Sequence, residues 1–129
     1  MDQLASPFRV YLVEDSPILR KRVETMLATI PGMTFVGYAP DAATAAKEIA
    51  QLRPDAVILD IHLSQGTGFD VLRALKRGNV ETAVFVLTNY ASDAYRATAA
   101  NLGARALFDK STEFERLREA VAAAASPGS

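Results

Sequence analysis

The sequence predicts an α/β fold in which a parallel five-stranded sheet carries helices on both faces, and three observations lead there. Short, nearly unbroken apolar runs begin near residues 8, 34, 56, 83 and 106, as expected of strands covered on both sides. Each run is followed by a stretch whose apolar residues recur at helical spacing. Half of the 129 residues are apolar, which is enough for one core and leaves no room for a second folded unit. Regular alternation of strand and helix is the pattern of linked βαβ units, and such sheets take ligands at the carboxyl ends of their strands.

Residues 1–7 are polar, end in Pro7 and are expected to form a flexible leader. Phe8 to Val13 is the first strand. Ser16 then Pro17 is a good helix start, the serine as cap and the proline at the first helical position, where its missing N–H leaves nothing unpaired. Leu19, Val23, Met26, Leu27 and Ile30 form the apolar stripe of that helix, Arg20, Lys21, Arg22 and Glu24 its solvent face, and Pro31-Gly32 its end. Thr34 to Tyr38 is a short second strand. Asp41 caps an alanine-rich helix over 42–52 with Ala45, Ala46, Ile49 and Leu52 inward, and Pro54 stops it.

The third strand is Ala56–Asp60. The loop HLSQGTG follows, with Gly66 and Gly68 supplying backbone freedom, and then a helix over Phe69–Arg77. Ala83–Leu87 is the fourth strand and 92–102 the fourth helix, with Gly103 at its C-terminal cap. Ala106–Phe108 is a brief fifth strand. Thr112 and Glu115 have capping-box spacing before a last helix with Phe114, Leu117 and Val121 inward. Order is expected to end near 124, so the chain divides into a leader at 1–7, a folded unit at 8–124 and a disordered tail at 125–129.

Composition excludes several classes of function. Fourteen Lys and Arg against fifteen Asp and Glu give a formal charge of -1, with no basic field to hold nucleic acid or an anionic membrane. Cysteine is absent, which removes disulfides, thiolate catalysis and thiolate zinc sites together. The start, MDQLASPFRV, has no apolar segment of signal-peptide length, and no run approaches membrane-spanning length, so a cytoplasmic protein is expected.

The chemistry concentrates at two places where an apolar run ends in acid. FRVYLVEDS at 8–16 and AVILDIHL at 56–63 put Glu14, Asp15 and Asp60 where neighbouring strands run out into loops. Carboxylates gathered there repel one another unless a cation or a proton sits between them. Asp60 directly follows Val57-Ile58-Leu59, where an unpaired charge would be costly. Hard oxygen ligands without a His or Cys partner suit Mg²⁺, which commonly meets one or two carboxylates together with a phosphoryl group. The ends of the fourth and fifth strands add Thr88 and Lys110. Taken singly, each has a plainer role: Thr88 could satisfy a backbone group, Lys110 could be solvated, and the acids could be a wet rim.

VEDS with Glu14-Asp15, LDIHLSQGTGFD with Asp60 and Gly68, LTNY with Thr88, and DKS with Lys110 together resemble the receiver domain of two-component response regulators, over about residues 8–122. The resemblance implies a flavodoxin-like (βα)5 three-layer sandwich with strand order 2-1-3-4-5. It implies that Asp60 is the phosphoacceptor, taking its phosphoryl group from a sensor histidine kinase or histidine phosphotransfer protein. It implies that Asp15 and Asp60 hold Mg²⁺ directly, Glu14 through water, and His62 by its main-chain carbonyl. Thr88 then resembles the switch hydroxyl and Lys110 the cation that pairs with Asp60 and afterwards with phosphate. The His62 side chain and Tyr90 resemble the two positions flanking the phosphoryl group, where side chains tune its loss to water.

The chain is expected to be either a free-standing receiver or a fragment of a larger regulator whose linker starts at SPGS, and in both cases a regulatory phosphoacceptor and not an enzyme. It would signal to a downstream target protein by contact, with the kinase docking near the first helix and output through the fourth and fifth. Three positions depart from the family pattern. Ser64 and Ser111 stand where proline is frequent, which predicts a looser loop after Asp60. Leu107 stands where a Tyr or Phe usually swings inward with the switch hydroxyl, and strand alternation sends Phe108 to the opposite face. Tyr90 or Tyr95 is then left to report the state. Three other readings compete: a receiver-like interaction domain that is never phosphorylated, a flavin binder, against which the Glu14-Asp15 pair would repel a cofactor phosphate, and a small hydrolase with an Asp nucleophile, for which nothing in the chain builds a substrate pocket.

Overall fold

The computed structural model describes residues 7–126, so most of the leader and the end of the tail lie outside the described residues. Five strands alternate with five helices: β1 (Phe8–Val13), α1 (Pro17–Leu27), β2 (Met33–Ala39), α2 (Ala42–Leu52), β3 (Ala56–Leu59), α3 (Gly68–Arg77), β4 (Ala83–Thr88), α4 (Asp93–Asn101), β5 (Ala106–Asp109) and α5 (Phe114–Ala125). All pairings are parallel and the strand order is β2-β1-β3-β4-β5. This is the flavodoxin-like architecture expected from the sequence. The chain steps outward from β1 to β2, then crosses back over β1 to β3. The order therefore reverses between β1 and β3, the place where open parallel sheets bind ligands.

Two apolar clusters lie on opposite faces of the sheet, because successive strand residues point to opposite sides. On one face Tyr11, Val13, Val57, Leu59, Val84, Val86 and Leu107 pack against Ala45 and Ile49 of α2, Val71, Leu72 and Leu75 of α3 and Ala99 of α4. On the other, Val10, Leu12, Ile58, Phe85 and Leu87 pack against Val23, Met26 and Leu27 of α1 and Leu117 and Val121 of α5. The middle strand β3 is buried along its whole length, which accounts for its unbroken apolar run. Leu107 and Phe108 fall in opposite clusters, as the alternation requires.

Helix ends follow local hydrogen bonding. The side chains of Ser16, Asp41 and Ser92 accept from the N–H groups of Leu19, Thr44 and Tyr95 and so cap α1, α2 and α4. α1 stops at Leu27, three residues before the predicted limit. Ile30 stays buried because the turns Thr29 N to Met26 O and Ile30 N to Leu27 O bring it back to the core. The capping box expected at Thr112 and Glu115 does not form. The Asp109 carboxylate accepts from the N–H groups of Ser111 and Thr112 and from the Ser111 hydroxyl, and α5 starts after Glu113 without a side-chain cap. The helix continues to Ala125, one residue beyond the unit expected over 8–124.

A capping box forms instead at α3. The Thr67 hydroxyl accepts from Asp70 N at 3.2 Å while the Asp70 carboxylate accepts from Thr67 N at 2.9 Å. Thr67→Ala removes one of these partners on the loop that follows the acidic pocket. We expect denaturant unfolding to report a loss of about 1 kcal/mol with no change in the slope against denaturant.

Candidate functional site

Parallel register decides which side chains meet. Val13 of β1 lies opposite Leu59 of β3, so Glu14 and Asp60 leave the sheet at the same level. The ladder runs one step past both strands, with Glu14 N donating to Ala39 O and Asp60 N to Val13 O, each at 3.0 Å. Lys110 is fixed likewise by its N–H to Thr88 O at 2.9 Å. One open pocket at this edge gathers Glu14, Asp15, Asp60, His62, Thr88, Tyr90 and Lys110. Ser16 and Asn89 also line it, and sequence reasoning gave neither a place there. Leu107 lies outside it, in the core.

Ligand oxygens from Glu14, Asp15 and Asp60 all fall within 4.8 Å of one another. Glu14 and Asp60 are buried, at 2% and 4% exposed, and Asp15 is open to solvent. Lys110 Nζ sits between the two buried acids, 2.9 Å from Asp60 Oδ2 and 3.2 Å from Glu14 Oε1. One ammonium does not neutralise three carboxylates. This all-oxygen set, open on the Asp15 side, fits Mg²⁺, and its excess negative charge favours a divalent cation over none.

The imbalance appears in the proton affinities. Burial, and then the charge of Asp60, push the Glu14 carboxyl up to about 7, although the Ser16 N–H and Lys110 oppose this. Burial acts to lower the Lys110 ammonium, but its hydrogen bond to Asp60 and the charges of Asp60 and Glu14 outweigh it and hold it above its ordinary range. Lys110 therefore stays charged, and the Glu14 carboxyl changes protonation near neutrality. The folded state keeps this proton over the interval from the ordinary value of 4.5 to about 7. The Glu14 contribution to stability is thus greatest at low pH and declines as pH rises through that interval.

A cation entering the cluster is expected to displace the same proton. Apparent Mg²⁺ affinity, measured by titration calorimetry, is expected to tighten with rising pH by up to about tenfold per unit below the Glu14 value and to level off above it. Glu14→Gln should flatten that dependence. The same pH slope in parent and variant would assign the displaced proton to another group.

Thr88 is fully buried, and its Oγ1 accepts from Tyr90 N at 3.2 Å. Accepting leaves the O–H free to donate. His62 N lies 3.4 Å from Asp60 Oδ1. The His62 ring stands 4.5 Å, centroid to centroid, from the Tyr90 ring, and Tyr90 is 58% exposed at the pocket mouth.

The looseness expected after Asp60 finds no support in the bonding. Ser64 donates from both its N–H and its hydroxyl to Pro40 O, Gln65 O accepts from Ala42 N, and Gly68 N donates to Ile61 O. Serine, unlike proline, has a backbone donor, and here that donor ties the loop to the entrance of α2.

The family model for the response regulator receiver domain matches residues 10–122. The nitrate/nitrite response regulator protein NarP of Escherichia coli is 34% identical over 123 residues, 94% of this chain and 56% of that protein. A protein-glutamate methylesterase/protein-glutamine glutaminase of Koribacter versatilis is 38% identical over 102 residues, 77% of this chain and 28% of that protein. The chain thus spans about half or less of the length of these curated relatives. The receiver domain of the putative response regulator NarL from Mycobacterium tuberculosis shares the fold with a TM-score of 0.85 at 26% identity, covering 94% of this chain and 98% of that one.

Proposed function

The chain belongs to the response regulator receiver domain family of two-component signalling, and from that premise we propose that it is a phosphoacceptor whose Asp60 takes a phosphoryl group from a histidine kinase or histidine phosphotransfer protein. The observation that carries this reading is the buried Asp60 carboxylate, paired with Lys110 at 2.9 Å inside a cluster of three carboxylates that this one ammonium leaves two charges short of balance.

An Asp60 oxygen attacks phosphorus, the P–N bond to the donor imidazole breaks, and the imidazole leaves with the electron pair. Asp15 and Asp60 would hold Mg²⁺ directly, with Glu14 through water and the His62 carbonyl completing the set. When bound, the ion offsets the charge of carboxylates and phosphoryl oxygens. Lys110 is close enough to turn from Asp60 to the new phosphoryl oxygens. Thr88 has an O–H to donate to them, and doing so pulls on the loop that Tyr90 N now ties to its Oγ1.

The partners of this reading are the phosphodonor protein, near the exposed Ile18 of α1, and a downstream target protein. Neither nucleic acid nor membrane is among them. Among the described residues no helix is long and apolar enough to cross a membrane, and we place the reaction in the cytoplasm. The chain is a regulatory phosphoacceptor that assists its own Mg²⁺-dependent phosphorylation and dephosphorylation, not an enzyme acting on a separate substrate.

Intact mass after treatment with acetyl phosphate tests the reading. One phosphoryl group taken up with Mg²⁺, and far less without it, supports it. No uptake leaves the other reading, a receiver-like interaction domain that is not phosphorylated. Tyr90 stands at the mouth beside His62 and screens the acyl phosphate from water. Tyr90→Ala should therefore lose phosphate several-fold faster than the parent, and unchanged or slower loss would reject the screen.

A further inference from the structure

The ring that flanks the pocket on one side does not stand alone. His62, on the loop after β3, meets Tyr90 at 4.5 Å and Tyr95 at 6.0 Å between centroids, the second pair nearly parallel at 24°. Tyr95 Oη lies 3.4 Å from His62 Nε2. Tyr95 belongs to the first turn of α4, where its N–H is capped by Ser92. Its ring in turn sits edge-on against Phe69 of α3 at 5.3 Å. His62 is otherwise an exposed side chain whose rotamers would be free.

We propose that Tyr95 is the positioning residue for the acceptor site: it holds the His62 ring against Tyr90, and so joins the cover of the Asp60 pocket to α4. This rests on the phosphoacceptor reading above and adds to it how the site is coupled to a helix. The usual β5 aromatic is replaced by Leu107, which is 5% exposed and already in the core. No swing of that side chain is available to carry the state of Asp60. Tyr95 supplies a route that bypasses β5, because His62 and Tyr90 each follow a pocket residue by two positions, with His62 N 3.4 Å from Asp60 Oδ1 and Tyr90 N donating to Thr88 Oγ1 at 3.2 Å. α4 is packed lightly, with Ala99 its one buried residue, so a shift of these rings has little to oppose it there.

The test reads phosphoryl lifetime by intact mass in the parent, Y95A, Y95F, H62A and the H62A/Y95A double variant. Y95A should shorten the lifetime by about three- to tenfold, and in the H62A background it should have no further effect, as required of a residue that acts through another. Equal lifetimes in Y95A and parent, or the same factor again in the H62A background, would overturn the proposal. The chain has a single histidine, so its ring nitrogens give one pair of NMR resonances in the unphosphorylated protein. Y95F keeps the ring and removes the hydroxyl, so it should move the Nε2 resonance and shorten the lifetime less than Y95A does. Should Y95A fail to fold, Y95F decides the matter: an unmoved resonance with an unchanged lifetime rejects the coupling. A parent that takes up no phosphoryl group overturns the phosphoacceptor reading and this inference with it, whereas a phosphorylated parent matched by its variants overturns the inference alone.

Discussion

Asp60→Asn is expected to abolish phosphoryl uptake while leaving the protein folded. The amide keeps the shape of the side chain and removes the nucleophile, so uptake from acetyl phosphate should fall by at least about a hundredfold, to background. Stability is a separate matter, set by two opposing changes. The variant loses the 2.9 Å ion pair with Lys110, but Lys110 keeps Glu14 at 3.2 Å, and the repulsion between two buried carboxylates disappears. A buried ammonium with two acids becomes an ammonium with one, which is the better balanced group. Thermal unfolding without Mg²⁺ should therefore occur at or above the parent temperature. Because Asp60 is the charge that helps raise Glu14, the Glu14 carboxyl should also titrate lower in the variant. Residual phosphoryl uptake by Asp60→Asn would point to another acceptor in the pocket, with Asp15 the nearest alternative.

The acidic pocket was legible because two strands end in acid, and because parallel pairing brings residues one place past each strand to a common level. Strand order needed the family resemblance, since alternation alone fixes layers but not neighbours. What the sequence hid are contacts chosen by competition between local groups. Thr112 has the spacing of a cap, yet the Asp109 carboxylate takes its N–H first. Thr67 caps α3 with an aspartate where the usual box has glutamate or glutamine. Ser64 looked like a lost proline and proved to be a gained donor. Tyr95 had only a stated alternative role, because its contact with His62 crosses 33 positions of sequence.

Gly68 is the other position where a small change is expected to have a large effect, and for a reason different from the one its type suggests. Gly66 does use the left-handed region, with φ of +77°, but Gly68 is not among the positive-φ residues. It stands at the first position of α3 with its N–H donated to Ile61 O at 2.8 Å, so its Cα lies against the backbone of Asp60 and Ile61. A Cβ there would collide with the carbonyl oxygen of Asp60 and come within 3.0 Å of Ile61 Cα. Both are main-chain atoms, and no flexible side chain can move aside. Gly68→Ala must therefore push α3 away from the sheet or drag the Asp60 carbonyl out of line. Overpacking of this kind costs about 3 kcal/mol, far above the few tenths by which alanine would favour an exposed helix start. Denaturant unfolding should register that loss, and phosphoryl uptake should fall with it, since Asp60 would no longer meet Lys110 and the other acids in register. A Gly68→Ala variant as stable as the parent would mean that α3 can shift without cost, and that the glycine does not hold Asp60 in place.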